Sequence, residues 1–338
     1  MADKDRFDEY LDMLRGKDQK VTSLVYRLLD QRAAIKDKEI NSRLLQELIQ
    51  KYAESENKLK FLNQELVRKQ KHIDADLAAA AEIQKSLLPK DTRQAQKVMD
   101  ISWRFRPCDK IGGDIFNIVP LDDDNWAFYM IDVAGHGIQA AMIAVTVFQY
   151  LQPHSGTLMS LAMGHPPIRE IRRPAKVLEF LDREYPFERF NSFFTLNYAI
   201  LNVRTGRLTA SNAGHPPPVI LRQDGELLPL EKAGRSIGTL DFMPNADEAG
   251  GFPEEHRQIQ PGDKLLFYTD GLIEYENDAG ELYGKQRFYQ KISELNDRPV
   301  SELIDMSFRS LMEFGNNTEP KDDISLLGLE LLKVKAPD

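Results

Sequence analysis

Cysteine is almost absent: Cys108 is the only one in 338 residues. A disulfide framework is therefore excluded, and so is a thiolate metal site. The six histidines show no metal-ligand spacing either. There is no apolar stretch near 18 residues and no leader pattern, so neither a membrane-spanning helix nor export is expected, and the chain reads as cytoplasmic. Glycine and proline are missing from the first 88 residues apart from Gly16, which removes turns and leaves room for long helices. Positive charge is short beyond that segment. Residues 1–90 carry 18 Lys+Arg against 16 Asp+Glu, net +2, whereas the remainder carries 26 against 37, net −11, so the formal net charge of −9 comes entirely from the larger part. An acidic domain with no basic or aromatic stripe argues against nucleic acid as a partner.

What the first 90 residues do have is a heptad pattern. Leu45, Tyr52, Leu59, Leu66, Ile73, Ala80 and Leu87 occupy one position, and Leu48, Ser55, Leu62, Lys69, Asp76 and Ile83 the other. The polar members make this a weak or adjustable seam. An earlier phase, Val21, Leu24, Leu28 and Ile35, is out of step with it, so the helix is expected to break or stutter near 36–44. Residues 1–44 are read as an N-terminal helical segment, 45–90 as a coiled coil and linker helix, and 91–338 as one large domain. A parallel homodimer would bury the seam; a single amphipathic helix packed on its own domain is the alternative.

Four short acidic motifs stand out in the large domain: GGD at 112–114, DVAGHG at 132–137, YTDGLIE at 268–274 and DDIS at 322–325. Each begins or ends an apolar run that reads as a strand, so Asp114, Asp132, Asp270 and Asp322 or Asp323 should sit at strand ends. Carboxylates gathered in a partly buried place repel one another, and such a cluster persists only with raised pKa values or a neutralising cation. An all-oxygen donor set favours Mg²⁺ or Mn²⁺ over zinc.

The first pair is placed by local geometry. Residues 114–120 and 126–132 flank the turn-rich LDDDN at 121–125, and an antiparallel hairpin centred near Asp123 sets Asp114 opposite Asp132. Trp126, Phe128 and Met130 then line one face and Ala127, Tyr129 and Ile131 the other. A strand apolar on both faces belongs inside a layered structure. Asp122, Asp123 and Asp124 read as a solvated turn.

The series GGD, DVAGHG, SNAGHPPP (211–218), PGDKLLFYTDGLIEYEN (261–277), ELYG (281–284) and DDISLL (322–327) resembles the bacterial SpoIIE/RsbU family of PPM-type, protein phosphatase 2C-like serine/threonine phosphatases, from about Ala79 to Leu332. The resemblance implies an α+β fold, an α/β/β/α sandwich of two antiparallel sheets flanked by helices, here preceded by the helical coiled coil. It further implies two Mn²⁺ or Mg²⁺ ions, bridged by Asp132 and held by the Val133 carbonyl, Asp114, Asp270 and the DDIS acid. Asp322 aligns with the acid of the wider phosphatase motif and is the expected ligand, with Asp323 outside it or a partial ligand. Two ions sharing a water lower its pKa and aim it at phosphorus, with no protein nucleophile required. The substrate implied is a phosphoserine or phosphothreonine on a STAS-domain protein of the anti-anti-sigma type.

Departures from the family pattern matter too. GGD continues with Ile115, Phe116 and Asn117 instead of an aromatic pair and a second Asp, which removes support for a further acidic ligand. His136 follows the bridging Asp by four residues, not the two of the eukaryotic relatives, so it reads as capping backbone in a glycine turn and not as a general acid. His215, before three prolines, reads as structural. Cys108 in RPCDK has no catalytic context. Arg104, Arg106 and Lys110 are either phosphate-attracting or a solvated strand face.

Further elements follow from pattern alone. Hairpins are expected over 193–213 and over 217–230 with Asp224-Gly225 at the tip, and helices over 138–151 and 300–314. Residues 152–173, rich in Pro, Gly and Met, read as a mobile insertion. In DLAAAAEIQKSLLPK (76–90), four alanines allow close helix approach before Ile83, Leu87 and Leu88 offer an apolar face and Pro89 ends the helix. These three residues are the expected regulatory contact, carrying a signal from an unidentified activator at the N-terminal helices. A passive tether is the alternative. Against the phosphatase reading stand a scaffold that has lost activity and a two-metal phosphodiesterase.

Overall fold

A strand that is apolar on both faces needs a layer on each side, and the computed structural model supplies them. It describes residues 38–89, 95–162, 168–242 and 251–332, together with Ser23 and Arg27. The described chain forms two compact units that divide between Asp74 and Ala75. The elements in order are α1 (Lys38–Leu87), β1 (Met99–Arg106), β2 (Ile115–Pro120), β3 (Asn125–Val133), α2 (Ile138–Tyr150), β4 (Met159–Ala162), β5 (Ile168–Ile171), α3 (Pro174–Glu184), α4 (Phe187–Phe190), β6 (Phe194–Asn202), β7 (Arg207–Ala213), β8 (Val219–Leu221), β9 (Leu227–Pro229), β10 (Glu254–Gln258), β11 (Lys264–Tyr268), α5 (Asp270–Ile273), α6 (Gly284–Glu294), α7 (Val300–Phe314) and β12 (Ile324–Leu331).

One five-stranded sheet runs β1-β12-β11-β8-β9 and the other β10-β7-β6-β3-β2, with β4-β5 as a separate ribbon. Every strand pairing is antiparallel. Side-chain alternation sorts the core into three layers. Between the sheets lie Phe116, Trp126, Phe128, Met130, Leu265, Phe267, Leu327 and Leu329. The stacked rings of Phe128 and Phe267, with centroids 6.4 Å apart, join one sheet to the other. On one outer face Ala127, Tyr129, Ile131 and Tyr198 meet Ala144 and Val147 of α2 and Val177 and Leu181 of α3. On the other, Leu266, Tyr268 and Leu326 meet Phe288 and Ile292 of α6 and Leu303 and Ile304 of α7. This is the expected α/β/β/α sandwich.

Ile115 pairs with Ile131 and Pro120 with Trp126, a register whose next step beyond the ladder is Asp114 opposite Asp132. The two other hairpins and both helices also fall where patterning places them. Two expectations need correction. Helix α1 is continuous from Lys38 through 44, so no break divides 38–44, and the earlier phase at Val21, Leu24, Leu28 and Ile35 lies outside the described residues. The insertion is not irregular throughout: Met159–Ala162 and Ile168–Ile171 zip into a ribbon, and Leu158, Met159 and Ile171 bury against the core under α2 and α3. That apolar anchorage outweighs its turn-rich composition.

Along α1, Leu48, Leu59, Leu62, Leu66 and Ile73 are all exposed. Beyond Ala75 a different stripe is covered: Leu77, Ala80 and Ala81 meet Ile111 and Ala141, Gln84 is buried, and Leu87 and Leu88 touch the core of the sandwich. Positions 77, 80/81, 84 and 87/88 keep helical spacing. Ile83 falls off this stripe and is 64% exposed, so the expected apolar contact consists of Leu87 and Leu88 without it.

Candidate functional site

Four strand ends converge at one end of the sandwich. Asp114 precedes β2, Asp132 closes β3, Asp270 follows β11, and Asp322 and Asp323 lead into β12. The first two belong to one sheet and the others to its partner. Ser325 of β12 donates its hydroxyl to Asp114 Oδ2 at 2.6 Å, a direct link across the sheets.

The two acids of DDIS do different things. Asp323 is buried, and both its oxygens are engaged: Oδ1 accepts the Cys108 N–H at 2.9 Å and Oδ2 the Asp114 N–H at 3.2 Å. It clasps the whole 108–114 loop. Asp322 stands at the solvent-facing rim and uses Oδ1 only to accept the Asp323 N–H at 2.8 Å. The glycines of GGD are needed because backbone must pass close. A Cβ on Gly112 would lie 1.9 Å from the Asp323 carboxylate, and one on Gly113 would lie 2.7 Å from the Val133 carbonyl oxygen.

Electrostatically the cluster is strained by its own charge. The Asp132 carboxyl is pushed up to about 8, first by burial and then by Asp270 and Asp322. Asp114 is driven well above the usual carboxylate range by burial, Asp132 and Asp323, with the Ser325 and Thr269 hydroxyls pulling the other way. Asp322 is raised by partial burial and by Asp270, Asp323 and Glu274. Asp270 Oδ1 is buried without a hydrogen-bond partner. Oxygen donors alone, mutually repelling and with one orphaned oxygen, fit a hard divalent cation. Among the described residues no three His, Cys, Asp or Glu side chains already stand close enough to grip one ion. The acids share a neighbourhood without being closed into a coordination sphere.

The other sequence candidates separate clearly. The Cys108 thiol is pushed up to about 12 by burial and by Asp323, which leaves it a poor nucleophile. Arg104 pairs with Asp305, and Arg106 donates to Met312 Sδ and to the carbonyls of Asn317 and Thr318, so both are occupied by the α7 side of the sandwich. His136 is exposed and its ring has no hydrogen-bond partner among the described residues, so it does not cap the backbone as expected. Gly137 takes the N-cap place of α2 without any side-chain cap. His215 is buried in a loop that Asn212 holds with two hydrogen bonds, to its N–H at 2.8 Å and from Asn212 Nδ2 to its carbonyl at 2.9 Å.

Sequence reasoning missed Gln84. Its amide pairs with the Gly112 peptide in both directions: Nε2 donates to the carbonyl at 2.7 Å and Oε1 accepts the N–H at 3.2 Å. A polar residue on the covered stripe of a helix was the available signal.

Comparison with known proteins places this arrangement. The chain is 26% identical over 272 residues to Protein IcfG of Synechocystis sp., and 22% identical over 253 residues to the phosphoserine phosphatase RsbP of Bacillus subtilis. These alignments take in 75% and 73% of this chain but 41% and 56% of those proteins, so it spans about half the length of the relatives it matches. In fold it is similar to the SiaA-PP2C domain of Pseudomonas aeruginosa, with TM-score 0.62, 20% identity, and coverage of 78% of this chain and 98% of that domain. Residues 122–332 match the family model described as stage II sporulation protein E, and the chain belongs to that SpoIIE family.

Proposed function

We propose that this chain is a metal-dependent protein serine/threonine phosphatase that removes phosphate from phosphoserine or phosphothreonine on a STAS-domain regulatory protein. The observation that carries the reading is the convergence of Asp114, Asp132, Asp270 and Asp322 from four strand ends, with Asp132 and Asp114 both held far above the ordinary carboxylate range. The name of the relative RsbP, a phosphoserine phosphatase, supports the same class.

Asp132 is the central ligand, with the Val133 carbonyl, Asp114, Asp270 and Asp322 as the remaining donors for two Mn²⁺ or Mg²⁺ ions. When bound, such ions neutralise phosphoryl oxygens and supply an activated water for in-line displacement. The protein's own share is to bring the donors together and keep them there. Asp323 serves this end by clasping the loop that carries Asp114, not by ligation. Thr269 accepts the Ser325 N–H at 3.0 Å and so locks the start of β12 to the end of β11, fixing Asp322 relative to Asp270.

The N-terminal helix regulates this site. Gln84 holds Gly112, two residues before Asp114, so a shift of the helix end moves a ligand-bearing loop directly. The exposed stripe of Leu59, Leu62, Leu66 and Ile73 pairs with a second copy in a homodimer, where an upstream activator acts. No described helix is long and apolar enough to cross a membrane.

The test is a substrate panel in Mn²⁺: a phosphoserine STAS-domain protein, a cyclic nucleotide and single-stranded DNA. Phosphate release from the phosphoprotein alone is expected. Cleavage of the cyclic nucleotide or DNA would replace this reading with a phosphodiesterase, and silence on all three, and on an aryl phosphate as a fourth substrate, would leave a scaffold.

A further inference from the structure

The loop that carries the chain from β7 in one sheet to β8 in the other holds a buried group with no part in the proposed chemistry. His215 is 3% exposed, and its Nδ1 lies 2.7 Å from the Thr195 hydroxyl oxygen. Thr195 is the residue directly opposite Asp132 in the β3–β6 ladder. Directly opposed residues of an antiparallel pair project from the same face with Cβ atoms roughly 5 Å apart. The imidazole thus grips the side chain next to the Asp132 carboxylate. The ring also neighbours the main chain of Tyr268, two residues before Asp270, while its Nε2 is buried without a hydrogen-bond partner. Asn197 Nδ2 donates to the Pro216 carbonyl at 2.8 Å and ties the same loop back to β6.

We infer that His215 is a positioning residue for the metal centre: by fixing Thr195 it confines the Asp132 carboxylate, and its ring spaces the strand bearing Asp132 from the strand that leads to Asp270. The inference rests on the metal-dependent reading of that cluster. Burial pulls the imidazole down to about 3, so at working pH the ring is neutral and adds no positive charge against a cation. Its contribution is geometric. Thr195 is β-branched, and a hydroxyl fixed at one end sets where its methyl sits against the neighbouring carboxylate.

The experiment is Mn²⁺ titration by calorimetry of the full chain and its Thr195→Val, His215→Leu, His215→Asn and double Thr195→Val/His215→Leu forms, with circular dichroism as the check on folding. Wild-type binding with at least ~10-fold weaker affinity in Thr195→Val is expected, that is about 1.4 kcal/mol of coupling. His215→Leu should match it, and the double form should be no worse than either single one. His215→Asn, which returns a polar group at the position of Nδ1, should regain most of the affinity. Thr195→Val removes one exchangeable hydroxyl only, so it decides the matter even where His215→Leu fails to fold. Undiminished Mn²⁺ affinity in folded Thr195→Val, or losses that simply add in the double form, would overturn the role of His215. Absence of Mn²⁺ binding by the wild-type chain would overturn the metal reading itself, and this inference with it.

Discussion

The ligand end of the sandwich and the open length of helix α1 are stressed in opposite ways. At the first, five carboxylates crowd within and around four strand ends, and Asp132 and Asp114 are raised first by burial and then by the like charges that face them. On the second, Leu59, Leu62, Leu66 and Ile73 expose apolar surface along one stripe, with charges such as Glu65 and Lys69 paired alongside. The difference teaches what each region responds to. A charge cluster answers to protons and cations; an apolar stripe answers to protein concentration. Gln84 stands beyond both, on the covered part of the helix, where it holds the Gly112 peptide two residues before Asp114.

The largest effect should come from cancelling the charge. Asp132→Asn or Asp270→Asn is expected to lower Mn²⁺-supported hydrolysis of an aryl phosphate by ~10³-fold or more while circular dichroism stays native, because a donor is lost and a repulsion relieved. A smaller but more diagnostic contrast lies between adjacent residues. Asp322→Asn should weaken Mn²⁺ binding with little change in thermal stability, whereas Asp323→Asn should cost stability, roughly 1–3 kcal/mol, by weakening acceptors for the buried Cys108 and Asp114 N–H groups. Chemical denaturation alongside metal titration separates the two.

Protons test the same comparison from the other side. The folded-state carboxyl of Asp132 sits above its unfolded value, so the folded chain binds the proton more tightly. Metal-free stability should therefore be greatest below about pH 4, with respect to this group, and fall as pH rises towards 8. Asp132→Asn should flatten that dependence, as read from melting midpoints across pH in chelator. On the helix, Gln84→Ala should shift Mn²⁺ affinity or turnover by about 10-fold, since it strands the Gly112 peptide, whereas Ile83→Ala on the exposed side should leave both unchanged. Leu59→Lys with Leu66→Lys should also leave catalysis nearly untouched. Light scattering should show a dimer become a monomer while basal aryl phosphate hydrolysis changes less than ~2-fold.

How much of this was readable beforehand depends on distance along the chain. Asp114 opposite Asp132 followed from alternation and a five-residue turn, both local signals, and the hairpins around Thr205-Gly206 and Asp224-Gly225 followed in the same way. The division of labour between Asp322 and Asp323 was drawn from resemblance, because the groups that engage Asp323 lie more than 200 residues away. Ile83 departs from expectation for a physical reason: Ala80 and Leu87 of one heptad position join the covered stripe with Leu77, Ala81, Gln84 and Leu88, whereas the other position, which Ile83 occupies, turns to solvent. The His136 cap was an inference from a glycine turn, and the turn needs no cap from it. Nothing in the sequence joined His215 to Thr195, since only the pairing of β3 with β6 puts Thr195 beside Asp132.

The central claim is that the carboxylates at the strand ends hold divalent cations and that hydrolysis depends on them. The most direct measurement is the rate of phosphate release by the full chain in Mn²⁺, in excess EDTA, and in Mn²⁺ with Asp132→Asn. Robust release in the first condition and none above background in the other two is the predicted result; equal rates in all three, with every sample folded, would contradict it.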